Sequence, residues 1–198
     1  GMSSLAGTGL NNPTSLQFGP DGRLYVAQQN GVIKIFTVQR VAANNYQITA
    51  SQQIDVIAQM PNRNDDGTLN SSVWGRQVTG ILVTGTAQSP VIYICSSDPR
   101  IGAGPTGEDS NLDTNSGILS RLNWTGTQWV KTDLVRGLPR SEENHGSNGM
   151  QLNTATNTLY IAQGGHTNMG ALSANFSFHP EYAYSAAILA VNLAAIGN

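Results

Sequence analysis

The chain has 198 residues, of which 11% are charged and 22 are glycine, and its formal net charge is −2 at pH 7. This length suits one ordinary domain with a sizeable hydrophobic core. Because no basic face is available to gather phosphates and the longest apolar runs are of strand length, the composition argues against a nucleic-acid partner and against insertion into a membrane.

The first elements along the chain are two short apolar runs within residues 13–27, separated by Gly19-Pro20-Asp21-Gly22. Such a turn between apolar runs predicts a β-hairpin. Strand-like stretches follow at residues 31–38 and 46–57. We therefore predict four strands in the first third of the chain.

The same pattern recurs twice, with a period close to 67 residues. The matching positions are Leu16, Ile81 and Met150, separated by 65 and 69 residues, and Tyr25, Tyr93 and Tyr160, separated by 68 and 67. Further strands are predicted at residues 117–124, 128–135 and 185–193. Four strands per repeat are typical of a propeller blade.

The repeats predict an all-β fold, a β-propeller built from four-stranded antiparallel blades. One domain, residues 1–198, would hold about three blades, at approximately 12–60, 76–136 and 145–198. A propeller needs four or more blades to close. We therefore expect a partial propeller from a longer protein, and we hypothesise that two copies associate as a homodimer to complete a six-bladed ring.

Cys95 lies in an apolar run and is expected to be a buried, inert thiol. The acidic loop after it contains Asp98, Glu108, Asp109 and Asp113, whose oxygens suit calcium, although the spacing matches no EF-hand. An ordinary solvated loop is the alternative for this segment. Asp65 and Asp66 form a weaker acidic pair.

His145 precedes the first strand of the third repeat, where propeller loops reach the central channel. An imidazole can accept a proton from a substrate hydroxyl near neutral pH. The alternative is that His145 only caps the loop. His166 follows the second strand of the same repeat and is expected at the same end, as a solvated loop histidine rather than as part of a transition-metal site.

A likeness to a known family is carried by residues 12–35, 80–82, 97–100, 116–121, 138–139, 144–150 and 157–162. These segments resemble the soluble glucose/sorbosone dehydrogenases, which are quinoprotein aldose dehydrogenases with a six-bladed propeller. The resemblance implies that a base removes a sugar hydroxyl proton while hydride passes to pyrroloquinoline quinone (PQQ), with calcium polarising the quinone. It also implies a secreted or periplasmic parent, although the chain begins without a signal peptide.

By this resemblance His145 is the catalytic base and contacts the cofactor. Asn144, Gln77 and Asn148 are the candidate sugar-binding residues. The chain departs from the family at Gly164, which aligns with a supporting aspartate, and a base without an orienting carboxylate should be poorer. The family's cofactor-binding cations and calcium ligands belong to later blades, so we expect this chain alone to be inactive.

Two other functions remain open. The first is a non-catalytic propeller module that binds a carbohydrate or a protein within a larger secreted protein, and the glycine at position 164 favours it. The second is a calcium-dependent hydrolase or lactonase, for which only Asn144 and Asn148 are suitably placed.

Overall fold

The structure is a computed structural model, and it describes residues 5–64, 66–100, 115–141, 145–167, 169–173, 176 and 178–196. Those residues contain the following strands: β1 (Pro13–Phe18), β2 (Leu24–Gln28), β3 (Ile33–Ala42), β4 (Asn45–Ile54), β5 (Gln77–Gly85), β6 (Pro90–Ser97), β7 (Gly117–Trp124), β8 (Trp129–Leu138), β9 (Ser147–Asn153), β10 (Thr158–Gln163) and β11 (Ala187–Asn192). Within these ranges no helix is long and apolar enough to cross a membrane.

The strands form three antiparallel sheets, and in each sheet neighbours along the chain pair with each other. The first sheet is β1-β2-β3-β4, the middle sheet is β5-β6-β7-β8, and the third sheet is β9-β10-β11. This arrangement confirms the predicted all-β fold with about three antiparallel blades. In the described part of the chain, the third repeat has three strands, as expected.

One predicted strand is too long. The stretch 46–57 was expected to be extended throughout, but β4 ends at Ile54. The amide of Gln59 donates to the carbonyl of Asp55 at 3.0 Å, so the chain turns there. This turn buries Ile57 completely in the core. Ile57 is thus a core residue that lies in a turn. An apolar residue in a sequence pattern looks the same whether it lies in a strand or in a turn.

The three sheets stack so that their first strands are neighbours: β1 packs beside β5, and β5 packs beside β9. One hydrophobic core lies between the first and middle sheets and includes Ile35 and Ile94. A second core lies between the middle and third sheets and includes Cys95 and Ile161. Stacking about adjacent first strands is the geometry of propeller blades around a channel.

Cys95 is 1% exposed, and burial raises the pKa of its thiol to about 12. The expectation of a buried, inert thiol is therefore confirmed.

Polar contacts fix the spacing between the first strands of neighbouring sheets. The side chain of Gln17 in β1 donates to the carbonyl of Val83 in β5 at 2.9 Å, and it accepts from the amide of Val83 at 2.8 Å. The Thr79 hydroxyl in β5 donates to the carbonyl of Ser147 in β9 at 2.8 Å. Because these contacts engage backbone, they set the register between blades as well as their distance.

Gly80 lies where β5 crosses closest to β9. A Cβ atom built on Gly80 would lie 2.0 Å from the carbonyl oxygen of Asn148, which is far inside van der Waals contact. Gly149 has the same position in the next repeat, and a Cβ there would meet nothing within 4 Å.

We predict that Gly80→Ala destabilises the chain, because β9 must move away from β5. Overpacking of this kind costs about 1–3 kcal/mol. Urea unfolding in dilute solution, where the folding of one chain is measured, checks this. Gly149→Ala is the matched control and should leave the free energy of unfolding nearly unchanged. Equal stability of the two variants would contradict the close approach of β5 and β9.

Candidate functional site

The backbone around His145 is held from both sides. The amide of Ser141 donates to the His145 carbonyl at 2.8 Å, and the His145 amide donates to the Ser141 hydroxyl at 3.0 Å. Gln163, at the end of β10, accepts from the Ser147 hydroxyl at 2.7 Å and donates to the Pro139 carbonyl at 2.8 Å. This buried amide therefore ties together both ends of the segment that presents His145.

His145 itself is exposed, and its ring packs against Phe176 with centroids 5.1 Å apart. It borders an open hollow of about 250 Å³ at the start of β9. Thr79, Asn148 and Gln163 also line this hollow. The hollow thus combines one imidazole with hydroxyl and amide groups, which are suited to hydrogen bonding with the hydroxyls of a small polar ligand.

The fold brings only some of the site residues predicted from the sequence to the same hollow. His145 and exposed Asn148 share the hollow. Gln77 is 5% exposed and lines a different hollow, where its side chain accepts from the Ser97 hydroxyl at 3.4 Å. Asn144 lies outside the described residues.

Gly164 lies against His145, at the position where the family resemblance leads one to look for a carboxylate. A Cβ atom on Gly164 would lie 2.9 Å from the Cβ of His145 and 3.3 Å from the carbonyl oxygen of Gly146. A side chain at position 164 would therefore require the His145 backbone to shift. In this fold, position 164 provides close packing and no orienting group for His145.

His166 is not a solvated loop histidine, so that expectation is wrong. Its side chain is 1% exposed. The ring meets Tyr182 edge-on, with centroids 4.8 Å apart. Burial lowers the pKa of His166, while the backbone carbonyl of Arg140 and the charge of Glu181 oppose that shift, and His179 and His145 add to it.

Glu181 closes the segment between β10 and β11 over His166. It accepts the amide protons of His166 and Thr167, each at 2.9 Å, and the Thr167 hydroxyl at 2.6 Å. The Ser185 hydroxyl also donates to it. Desolvation raises the pKa of Glu181, but these donors outweigh it and bring the pKa down to about 2. The contacts hold an ionised carboxylate, so Glu181 serves as a structural anchor.

A second hollow, of about 160 Å³, was not anticipated from the sequence. It is lined by Trp74 and by the amide side chains of Asn11, Asn12, Gln29, Asn30 and Gln77, together with Pro99. Trp74 is 65% exposed although it is a large aromatic residue. The available signal was a tryptophan in the mostly polar segment directly before β5.

Asp98, one of the acidic residues considered for calcium, is bound to Arg100 instead of being open to solvent. It is fully buried, and its carboxylate receives two bonds from the Arg100 guanidinium, at 2.7 and 3.0 Å, and one from the Arg100 amide at 2.9 Å. Three of the roughly four acceptor sites of this carboxylate are therefore taken by Arg100, which also neutralises its charge. Glu108, Asp109, Asp113 and Asp65 lie outside the described residues.

PQQ and calcium do not fit the residues that line the His145 hollow. In the described ranges, no group of three or more His, Cys, Asp or Glu side chains could hold a metal ion. The nearby Arg140 guanidinium is fully buried, with one nitrogen donating to the Arg100 carbonyl, and does not face the hollow. PQQ carries carboxylates that need cationic partners, so we derive no step through either group.

The chain is similar in fold to proteins of known structure. No protein-family model matches the sequence, and no curated protein matches it. A Thermus thermophilus protein, provisionally assigned as an oxidoreductase (glucose dehydrogenase), aligns with a TM-score of 0.50 and 16% identity over 95% of this chain and 45% of its own. Iodide and calcium structures of a Trichoderma reesei protein of carbohydrate-active enzyme family AA12 each align with a TM-score of 0.46 and 14% identity, over 82% of this chain and 32% of theirs.

The chain therefore spans less than half of the proteins that it matches. The likeness to the Thermus protein shows that the fold is part of a β-propeller, like the sugar dehydrogenase fold expected from the sequence.

We predict that stability falls as the pH drops below the ordinary histidine pKa of 6.5, because the unfolded chain then binds a proton that buried His166 does not. The loss continues down to the lowered pKa of the folded state. Glu181 acts in a separate window, below its ordinary pKa of 4.5. Urea midpoints measured between pH 8 and pH 5 test this. His166→Gln should flatten the slope just below pH 6.5, and an unchanged slope would contradict the assignment.

Proposed function

We propose that the chain is part of a sugar dehydrogenase-like propeller, in which the His145 hollow binds a sugar and His145 accepts a proton from a sugar hydroxyl. The observation that supports this most is the exposed imidazole in a hollow that it shares with Asn148 and Thr79. Similarity of fold to a protein provisionally assigned as a glucose dehydrogenase adds support. The substrate class and the activity of the whole protein are parts of the proposal.

In this proposal the described residues supply binding and proton transfer. Asn148 offers an amide donor and acceptor to sugar hydroxyls, and the hydroxyl of Thr79 is already engaged with the Ser147 carbonyl. The Ser141 contacts hold the backbone of His145, and its imidazole packs against Phe176. The two-electron acceptor, a quinone with calcium as the resemblance implies, would be held outside the described residues.

We expect His145→Asn to lower kcat by about 10²-fold or more, since removing a general base has this size of effect. Asn148→Ala should mainly raise KM, because it removes a contact made equally before and during the reaction. The measurement is dye reduction by the full-length natural protein supplied with PQQ and calcium, across a panel of aldoses. Unchanged kcat in His145→Asn with the fold intact would remove His145 from the mechanism.

A second candidate function is a carbohydrate-binding module without catalysis. Two observations favour it: position 164 is a glycine and supplies no carboxylate to His145, and exposed Trp74 borders a hollow lined with amide-bearing residues. An exposed indole offers a flat apolar surface to the CH face of a sugar ring, while amides pair with its hydroxyls. Binding by this hollow would need no redox group.

For this candidate we expect the 198-residue chain to bind a sugar, with Trp74→Ala weakening the binding by about tenfold, equivalent to about 1.4 kcal/mol. Trp74→Phe is the matched control, because it keeps an aromatic face and should restore most of the affinity. Calorimetric titration with mono- and oligosaccharides measures both. Equal affinity in the wild type and Trp74→Ala would rule out this hollow as the binding site.

A further inference from the structure

Among the residues that the structure describes, nothing covers one of the two faces of the third sheet. Residues on β10 and β11 alternate between the core and this face, so that Leu159 and Ile161 are fully buried while Tyr160 is 40% exposed and Ile188 is 70% exposed. A shallow hollow of about 300 Å³, lined mainly by apolar atoms, lies on the exposed side. An apolar sheet face of this kind is expected to be covered in the working protein.

The exposed face carries a polar residue at an informative position. Gln151 follows Met150 in β9 as Gln17 follows Leu16 in β1, so the two glutamines occupy the same place in the repeat. Gln17 bonds both the amide and the carbonyl of Val83 in the next sheet. Gln151 is exposed at the equivalent position, beside the apolar hollow.

Gly149 is a second, independent indication that the exposed face of the third sheet contacts a following sheet. Its counterpart Gly80 lacks a side chain because the backbone of Asn148 in the next sheet lies where a Cβ would be. A Cβ on Gly149 would meet no described residue within 4 Å. The third sheet therefore combines a contact residue of the first sheet, the glutamine equivalent to Gln17, with one of the middle sheet, the glycine equivalent to Gly80. The first sheet has Ser15 at the glycine position, and its hydroxyl accepts from the Ile81 amide at 3.4 Å.

The first sheet carries the complementary surface. Leu16 and Phe18 in β1 are 64% and 59% exposed, whereas Ile81 and Val83, at the same repeat positions, are 6% and 4% exposed beneath the first sheet. Phe18 lies opposite Leu24, and the next residue, Gly19, donates to the Arg23 carbonyl. Hydrogen-bonded and non-bonded pairs alternate in antiparallel strands, so the amide and carbonyl of Phe18 point to the open edge, as those of Val83 do.

We propose that the uncovered face of the third sheet docks on the first sheet of a second copy of this chain, with Gln151 bonding the backbone of Phe18 in that copy. The contact is head-to-tail and continues the interface already present between the first and middle sheets. Two such contacts join two sets of three sheets into a closed ring of six. A second copy is favoured because one chain contains both complementary surfaces.

The first test is the mass of the 198-residue chain in solution, measured by sedimentation equilibrium. The expected mass is twice that of one chain at high micromolar concentration. Gln151→Ala should raise the dissociation constant by about tenfold, since it removes two hydrogen bonds. Gln128→Ala, in the exposed turn between β7 and β8, is the matched control and should have no effect.

Gly149→Ala separates assembly from folding. It should leave unfolding in dilute solution unchanged and weaken dimerisation by at least as much as Gln151→Ala, because the added methyl group would meet the backbone of the docked copy. Normal dimerisation of Gly149→Ala would overturn a backbone approach as close as that at Gly80, and the docked contact would then resemble the one at Ser15, which has a Cβ at the same repeat position.

Cross-linking tests the orientation. A copy with Gln151→Cys is mixed with a copy with Phe18→Cys and treated with a short bis-maleimide, while native Cys95 is buried and inert. The expected product joins the two different variants. Cross-linking of Gln151→Cys to itself would overturn the head-to-tail contact. A single-chain mass at high micromolar concentration would overturn the proposal, and the face would then be assigned to a further segment of a longer polypeptide.

Discussion

The middle sheet is buried on both faces, and the rest of the structure depends on this constraint. Successive residues of a strand point to opposite faces. In β6, Ile92 and Ile94 face the first sheet while Tyr93 and Cys95 face the third, and all four are at most 6% exposed. The middle sheet therefore needs both neighbours to bury its apolar side chains, and stacking of three sheets follows from its sequence.

Stacking also places the polar site. The close approach of first strands, fixed by Gln17 and Thr79 and allowed by Gly80, brings the beginnings of β5 and β9 side by side. Side chains before and within β9, such as His145 and Asn148, then border the same hollow as Thr79. The location of this hollow is a consequence of blade packing, whereas its chemistry depends on the few residues that line it.

Much of the fold could be predicted because period and turn residues are local properties of a sequence. The repeat of Leu16, Ile81 and Met150 marks equivalent strands, and β7 has the predicted bounds, Gly117–Trp124. The burial of His166 could not be predicted, because it is produced by Tyr182 and Glu181, which lie far along the chain. The acidic character of Asp98 suggested a ligand, but Asp98 is buried and pairs with Arg100, only two residues further along the chain.

The sequence predicts the candidate site less completely than it predicts the fold. His145 and Asn148 meet at one hollow, while Gln77 lines another, and the register of β5 shifts between Val78 and Gly80. Sequence alone cannot choose between the two hollows. Trp74 was not among the predicted site residues. Its exposure, and its place beside a hollow, become known only from the structure.

Hydrogen exchange, followed by mass spectrometry in dilute solution, is the most direct test of the buried middle sheet. Amides in elements covered on both sides open only with the whole fold, while those in elements with an uncovered face open locally. The account predicts that β6 exchanges more slowly than β10, although both are central strands of their sheets. Equal or faster exchange in β6 would contradict the stacked arrangement from which the site and the docking face are derived.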